Sequence, residues 1–176
     1  IKEKTNLFSD NLKFLHIAPE YCFINIFKRM KNLDYTTGDL ISPWADVKMD
    51  VHDIPFKDNS FDVVICNHVL EHVDDYKIVM KEFYRVMKTG GWGIFQVPID
   101  TNNNHTIEDK KIVDPKERER LYWQSDHLRL FGLDYGKKLA DAGFKVTESD
   151  FINEIGADLV ERYALPKGEI VYFCTK

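Results

Sequence analysis

Apolar positions along this chain come in two rhythms, short continuous runs and helical stripes, and the two alternate. Residues 14–18 are a short apolar run that leads straight into a turn. Phe23, Ile26, Phe27 and Met30 follow at i, i+3, i+4 and i+7, which predicts a helix with one buried face. The stretches 34–40 and 45–51, rich in Thr, Tyr and Val, predict strands ending near Asp39 and Asp50. The run "FDVVIC" is apolar throughout, as in a strand covered on both faces at the centre of a parallel sheet. Val79, Met80, Phe83, Val86 and Met87 mark a helix over 76–88 that "KTGG" stops, and "WGIFQVP" reads as the next strand. Residues 133–142 predict a helix ended by Gly143. They are followed by the strand "FKVTESDF", a weaker helix over 153–163 and the closing strand "EIVYFCT". Strands alternating with helices predict an α/β sandwich around a mainly parallel sheet.

Between 99 and 131 the text turns polar, with "DTNNN" and "DPKERER", too long for an ordinary connector. A lid or binding loop inserted in a single domain spanning 1–176 is expected. The 176 residues suit one domain with a substantial core. The first residue is Ile1 rather than Met, so the chain reads as a piece whose true N-terminus is not visible. No apolar stretch approaches the roughly 18 residues of a membrane span, so no membrane partner is expected. With 24 Lys plus Arg against 29 acids the net charge is −5, which argues against nucleic acid as a partner. Cys22, Cys66 and Cys174 are scattered, odd in number and set among apolar residues, which indicates neither a disulfide framework nor a cysteine zinc site and fits a reducing cytoplasm.

In open α/β sheets ligands bind beyond the carboxyl ends of the strands, which here are residues 16–20, Asp39, 50–52, Asn67 and His68. An acid ending the second strand can accept bonds from both hydroxyls of a ribose, and Asp39 is placed for that. It is equally placed to be a solvated turn acid after Gly38.

The segment "MDVHDIPFKDNSFDVVICNHVLEHVDD" is similar to the signature of small class I S-adenosylmethionine-dependent methyltransferases, and "FYRVMKTGGWGIFQVP" resembles their later "LYRVLKPGG" element. The likeness runs from about residue 14 to 98, with weaker support from "LADAGFKV". It implies a Rossmann-like three-layer sandwich with a mostly parallel seven-stranded sheet, order 3-2-1-4-5-7-6, the last strand antiparallel. It also implies S-adenosyl-L-methionine as cofactor. Carried onto this chain, the resemblance implies that Asp39 holds the ribose, that Asp50 and Val51 meet the adenine, that Asn67 and His68 face the methionine part and the substrate, and that His16, Ala18, Glu20 and Leu40 also border the cofactor. Asp62, opening the fourth strand, is expected to serve local structure. The departure lies at 16–20. Where the family reads acid-x-Gly-x-Gly, this chain has His16, Ile17, Ala18, Pro19 and Glu20, without the glycines that let backbone approach a ligand. Glu20 either replaces the missing acid by pairing with the cofactor's ammonium group, or is a solvent-facing acid favoured by a helix N-terminus.

Methyl transfer needs alignment of a nucleophile, exclusion of water and, for a hydroxyl or amine acceptor, a base; no metal is required. The segment "QSDHLRLFG" after the polar insertion resembles one beside the active-site mouth of related enzymes. It offers His127 as base with Asp126 and Arg129 orienting, and His68 as a further catalytic candidate; alternatively Asp126 caps a turn and His127 packs under the lid. Tyr122 and Trp123 are either a wall over the substrate or anchors for the loop.

Three other readings compete. "HVLEH" matches the H-x-x-E-H of inverted zinc peptidases, with His68 and His72 as ligands and Glu71 as base, provided that it lies in a helix. A dinucleotide-dependent oxidoreductase would need G-x-G-x-x-G where "APEYCF" stands. A catalytically silent module keeping the fold is the third. A small-molecule acceptor is expected, and neither its identity nor the oligomeric state is encoded in any motif.

Overall fold

The computed structural model describes residues 4–166 and 168–176. In chain order its strands are β1 (Leu12–Ile17), β2 (Leu33–Asp39), β3 (Val47–Lys48), β4 (Phe61–Asn67), β5 (Met87–Gln96), β6 (Lys145–Ser149) and β7 (Val171–Thr175). The helices are α1 (Tyr21–Lys28), α2 (Tyr76–Val86), α3 (Pro115–Tyr122), α4 (Tyr135–Asp141), α5 (Phe151–Glu154) and α6 (Ala157–Arg162). The strands form one sheet in the order β3-β2-β1-β4-β5-β7-β6. Neighbours from β3 to β5 pair in parallel, and β7 runs antiparallel to both β5 and β6. This is the expected order and the expected reversed last strand.

β4 takes the central place because both of its faces are apolar. Successive side chains of a strand alternate between faces. Val64 and Cys66 pack with Val79, Met80, Phe83 and Leu139 on one side, whereas Val63 and Ile65 pack with Phe14, Phe27 and Trp92 on the other. A polar side chain at any of the four would leave an unsatisfied group in a dry layer. The stripe predicted for α2 is the face it buries, and Asp75 caps the helix by accepting from the amides of Lys77 and Ile78. Asp62 accepts from the Lys13 amide and from Lys88 Nζ, each at 2.8 Å, so it ties β4 to its neighbours rather than entering a site.

Three expectations are corrected. α1 buries Ile24 and Phe27, while Phe23 and Ile26 are exposed; with barely two turns, the helix touches the sheet along a narrower line than the sequence pattern suggests. α2 stops at Val86, not 88, because Met87 turns extended, is fully buried and pairs with Phe61; "KTGG" therefore lies within the span of β5 and is absorbed by a register shift, with Gly90 at φ 80°. The single helix expected over 153–163 is two pieces, α5 and α6, separated at Gly156, whose φ of 89° no helix continues through.

Residues 99–131 lie along the carboxyl end of the sheet. Ile99 bridges to Phe131 and Ile107 to Leu130, so the segment returns on itself, and α3 within it starts on the Asp114 cap. Its clamp is Arg129, 1% exposed. The guanidinium donates to the carbonyls of Leu70 and Val73 at 2.6 Å and Asp74 at 3.2 Å, pairs with Glu108 at 2.8 Å, and lies 5.0 Å from the Tyr76 ring. The Leu128 amide adds a bond to the Glu71 carbonyl. The turn over residues 68–75 is thus held by the returning segment. Arg129→Met, which keeps the stem but strands these acceptors, is expected to cost roughly 3–5 kcal/mol in denaturant unfolding. It is also expected to raise amide exchange across 68–75.

Candidate active site at the carboxyl ends of the strands

β1 delivers the chain to Ile17, and Ala18 then adopts φ 47° while its amide bonds the Gly38 carbonyl at 2.9 Å. The left-handed turn typical of a glycine is therefore present with a methyl side chain in it, at a steric cost of about 1–2 kcal/mol. The turn opens α1 on Glu20.

Glu20 is neither fully solvent-facing nor unattached. Its carboxylate accepts from His16 Nε2 and from Asn67 Nδ2, both at 2.8 Å, tying the end of β1 to the end of β4. His16 is buried, and its Nδ1 accepts the Tyr35 hydroxyl at 2.9 Å, which fixes the proton on Nε2. Burial opposes ionisation of Glu20, but the bonds from His16 and Asn67 outweigh it and hold the carboxyl at about 2. Asn67 Oδ1 is buried and unpartnered, an acceptor left over beside this carboxylate.

A cavity of about 600 Å³ opens beside the turn, lined by Ala18, Asp39, Leu40, Asp50, Val51 and His68 among others. Asp39 Oδ1 accepts from the amides of Ile41 and Ser42 at 2.8 and 2.7 Å, and no described group bonds Oδ2. Asp50 Oδ1 holds the amide and Nδ1 of His52 at 2.9 and 2.7 Å; those bonds lower its pKa, and its Oδ2 is likewise uncommitted. Each acid thus has one oxygen fixed by its own loop and one without a hydrogen bond from the described residues. A second cavity of about 360 Å³, lined by Gln96, Val97, Ile99, Trp123 and Tyr172, shares His68 with the first. His68 sits at φ 55°, with its amide on the Gln96 carbonyl and Nδ1 3.4 Å from Glu71 Oε1; that carboxylate raises its pKa against the opposing effect of burial. A non-glycine residue in that conformation at a junction of two cavities is backbone strain of the kind that collects at functional sites.

The residues expected from 124–132 separate. Asp126 lines the larger cavity, with Oδ2 3.3 Å from His72 Nδ1. His127 is buried, opens on neither cavity and donates Nδ1–H to the Tyr122 carbonyl at 2.7 Å. Arg129 is the clamp already described. Tyr122 is a buried anchor whose hydroxyl accepts the Asp109 amide, whereas Trp123 does line the smaller cavity. "HVLEH" forms a turn and not a helix, so the helical frame that an inverted zinc peptidase needs is missing. Sequence reasoning missed Tyr35, which orients His16, and Gln96, which seats His68; neither stands at a strand end with a charge to mark it.

The sheet order agrees with the comparisons. Residues 17–95 match the model of a family described as "Methyltransferase domain". That stretch, a little under half of the chain, is similar to the methyltransferase domain. The chain is 36% identical over 67 residues to a demethylmenaquinone methyltransferase of Staphylococcus carnosus, covering 38% of this chain and 23% of that protein. To its counterpart in a Geobacillus species it is 49% identical over 51 residues, 27% and 21% of the two chains. The matched stretch thus spans under a quarter of these curated relatives. Among solved structures, a Burkholderia thailandensis 1,6-didemethyltoxoflavin-N1-methyltransferase with bound S-adenosylhomocysteine shares the fold at TM-score 0.63 and 14% identity, over 96% of this chain and 72% of that one. A Mesorhizobium loti S-adenosylmethionine-dependent methyltransferase gives 0.59 and 12%, over 96% and 93%. In this chain a left-handed turn at Ala18 follows β1, and Glu20 links His16 to Asn67.

Because the folded-state pKa of Glu20 lies below its ordinary 4.5, its contribution is complete above about pH 4.5 and disappears as pH falls towards 2. With the side chain about a third exposed, solvent screening reduces this to on the order of 1 kcal/mol. Unfolding free energies of wild type and Glu20→Gln should converge between pH 4.5 and 2, measured by urea titration.

Proposed function

We propose that this chain transfers the methyl group of S-adenosylmethionine to a small-molecule acceptor, with residues 99–131 as the lid of a single domain. The observation that carries the reading is the pair of cavities meeting at His68, the larger one edged by Asp39 and Asp50 with a free oxygen on each. Asp39 would accept the ribose hydroxyls. Asp50, Val51 and Leu40 would receive the adenine, the Asp50 carboxylate taking its amino group. Glu20 and the unpartnered Asn67 Oδ1 provide negative and acceptor character for an ammonium group, with Ala18 and His16 shaping the turn between them. The cofactor supplies a methyl already activated by a sulfonium, so the protein's work is alignment and the exclusion of water.

His68, on the wall of both cavities, is the residue we assign as base for a hydroxyl or amine acceptor, Asp126 standing across the larger cavity as an orienting carboxylate. His127 and Arg129 take positioning roles behind the turn that carries His68. The smaller cavity is the acceptor site, with Trp123 and Tyr172 as its aromatic sides. Its size and apolar lining favour a small planar or apolar molecule over nucleic acid. No helix of the described residues is long and apolar enough to cross a membrane, and the three free thiols favour a cytoplasmic setting. The lost glycines support a second reading, a silent module that keeps the fold.

Calorimetric titration with S-adenosylhomocysteine tests the cofactor site: wild type binds, and Asp39→Ala weakens binding by roughly 10- to 100-fold, the loss of one charge-assisted bond. Absence of binding by wild type would remove the proposal. Transfer of a labelled methyl group to a panel of small acceptors, demethylmenaquinone included because relatives carry that name, separates enzyme from silent module. In that assay His68→Ala should lower kcat by about 10²- to 10⁴-fold while leaving S-adenosylhomocysteine affinity within a few-fold.

A further inference from the structure

One carboxylate in the molecule has no evident reason to be where it is. Glu71 is 1% exposed, and neither of its oxygens has a hydrogen-bond partner among the described residues. Burying a carboxyl group without a hydrogen bond is costly. Arg129, also buried, spends its guanidinium on the Leu70, Val73 and Asp74 carbonyls and on Glu108. The ion-pair contact of Glu71 among the described residues is His68 Nδ1, at 3.4 Å. Two other side chains converge here. A carboxylate oxygen of Glu71 and one ring nitrogen each of His72 and His127 lie within 4.8 Å of one another.

We propose that Glu71, His72 and His127 bind a divalent transition-metal cation of the zinc class. The His127 imidazole is already oriented as metal ligands usually are, with one ring nitrogen engaged by a second group and the other bare. His127 Nδ1–H bonds the Tyr122 carbonyl at 2.7 Å, which leaves Nε2 with its lone pair. His72 Nδ1 lies 3.3 Å from Asp126 Oδ2. The two rings stand at 84° with centroids 4.7 Å apart. Two imidazoles and one carboxylate form a borderline donor set suited to zinc or ferrous iron and poorly suited to magnesium or calcium, which prefer oxygen alone. His72 also lines the larger cavity. This set is distinct from the H-x-x-E-H reading, which uses His68, treats Glu71 as a base and requires a helix. It departs from the expectation of a metal-free site, and it stands independently of methyl transfer.

The test uses the full chain, stripped with a chelator, equilibrated with zinc chloride and dialysed, with metal content read by mass spectrometry. Wild type should retain about one equivalent and show a raised Tm. His127→Ala and Glu71→Gln should each weaken zinc at least roughly a hundredfold. His105→Ala, a histidine remote from the cluster, should match wild type. Cobalt(II) should give visible d–d absorption in wild type that His127→Ala abolishes, which keeps the test decisive if Glu71→Gln fails to fold by circular dichroism. Far less than one equivalent on folded wild type, or unchanged affinity in folded His127→Ala, would overturn the site whatever the outcome with S-adenosylhomocysteine.

Discussion

Burial of β4 on both faces is the constraint from which the rest follows. Two apolar layers can meet on one strand only if helices cover the sheet above and below, and parallel neighbours on either side require crossover connections that supply those helices. Once β4 is central, Ile17, Asp39 and Asn67 must emerge at the same edge. Convergence of the polar residues is thus a by-product of packing Val63, Val64, Ile65 and Cys66, none of which takes part in the chemistry.

What lies at that edge is held by local bonds more than by the core. Asp39 and Asp50 each fix one oxygen on the amides of their own loops, which orients the carboxylate without consuming it. Glu20 does the reverse, committing its two oxygens to His16 and Asn67 and so adding a side-chain link to the β1–β4 ladder. Arg129 anchors the returning segment on three backbone carbonyls of a turn with no regular structure. A planar fork of donors suits that task, since a lysine could satisfy fewer acceptors from one position.

The alternation of strands and helices and the central place of β4 were legible in the apolar pattern, which reports directly on burial, whereas the sheet order came from the resemblance and not from periodicity. Element boundaries were less legible. Met87 is as apolar as the helix before it, and only its pairing with Phe61 turns it extended. The 124–132 segment was the least readable. Asp126, His127 and Arg129 are three consecutive-looking candidates in sequence, yet one faces a cavity, one is buried against a carbonyl and one is a clamp. Such a division is decided by which residues of a distant turn come within reach, and no local periodicity encodes it. The role of Glu20 was hidden for the same reason, since Asn67 lies 47 positions away in sequence.

Ala18 carries a wider consequence. The first turn of this sheet takes a left-handed dihedral at a residue with a side chain, so the backbone path there does not depend on glycine. Motif searches keyed to glycine will pass over chains of this kind, and sorting candidates by torsion angle at the strand-to-helix junction would recover them.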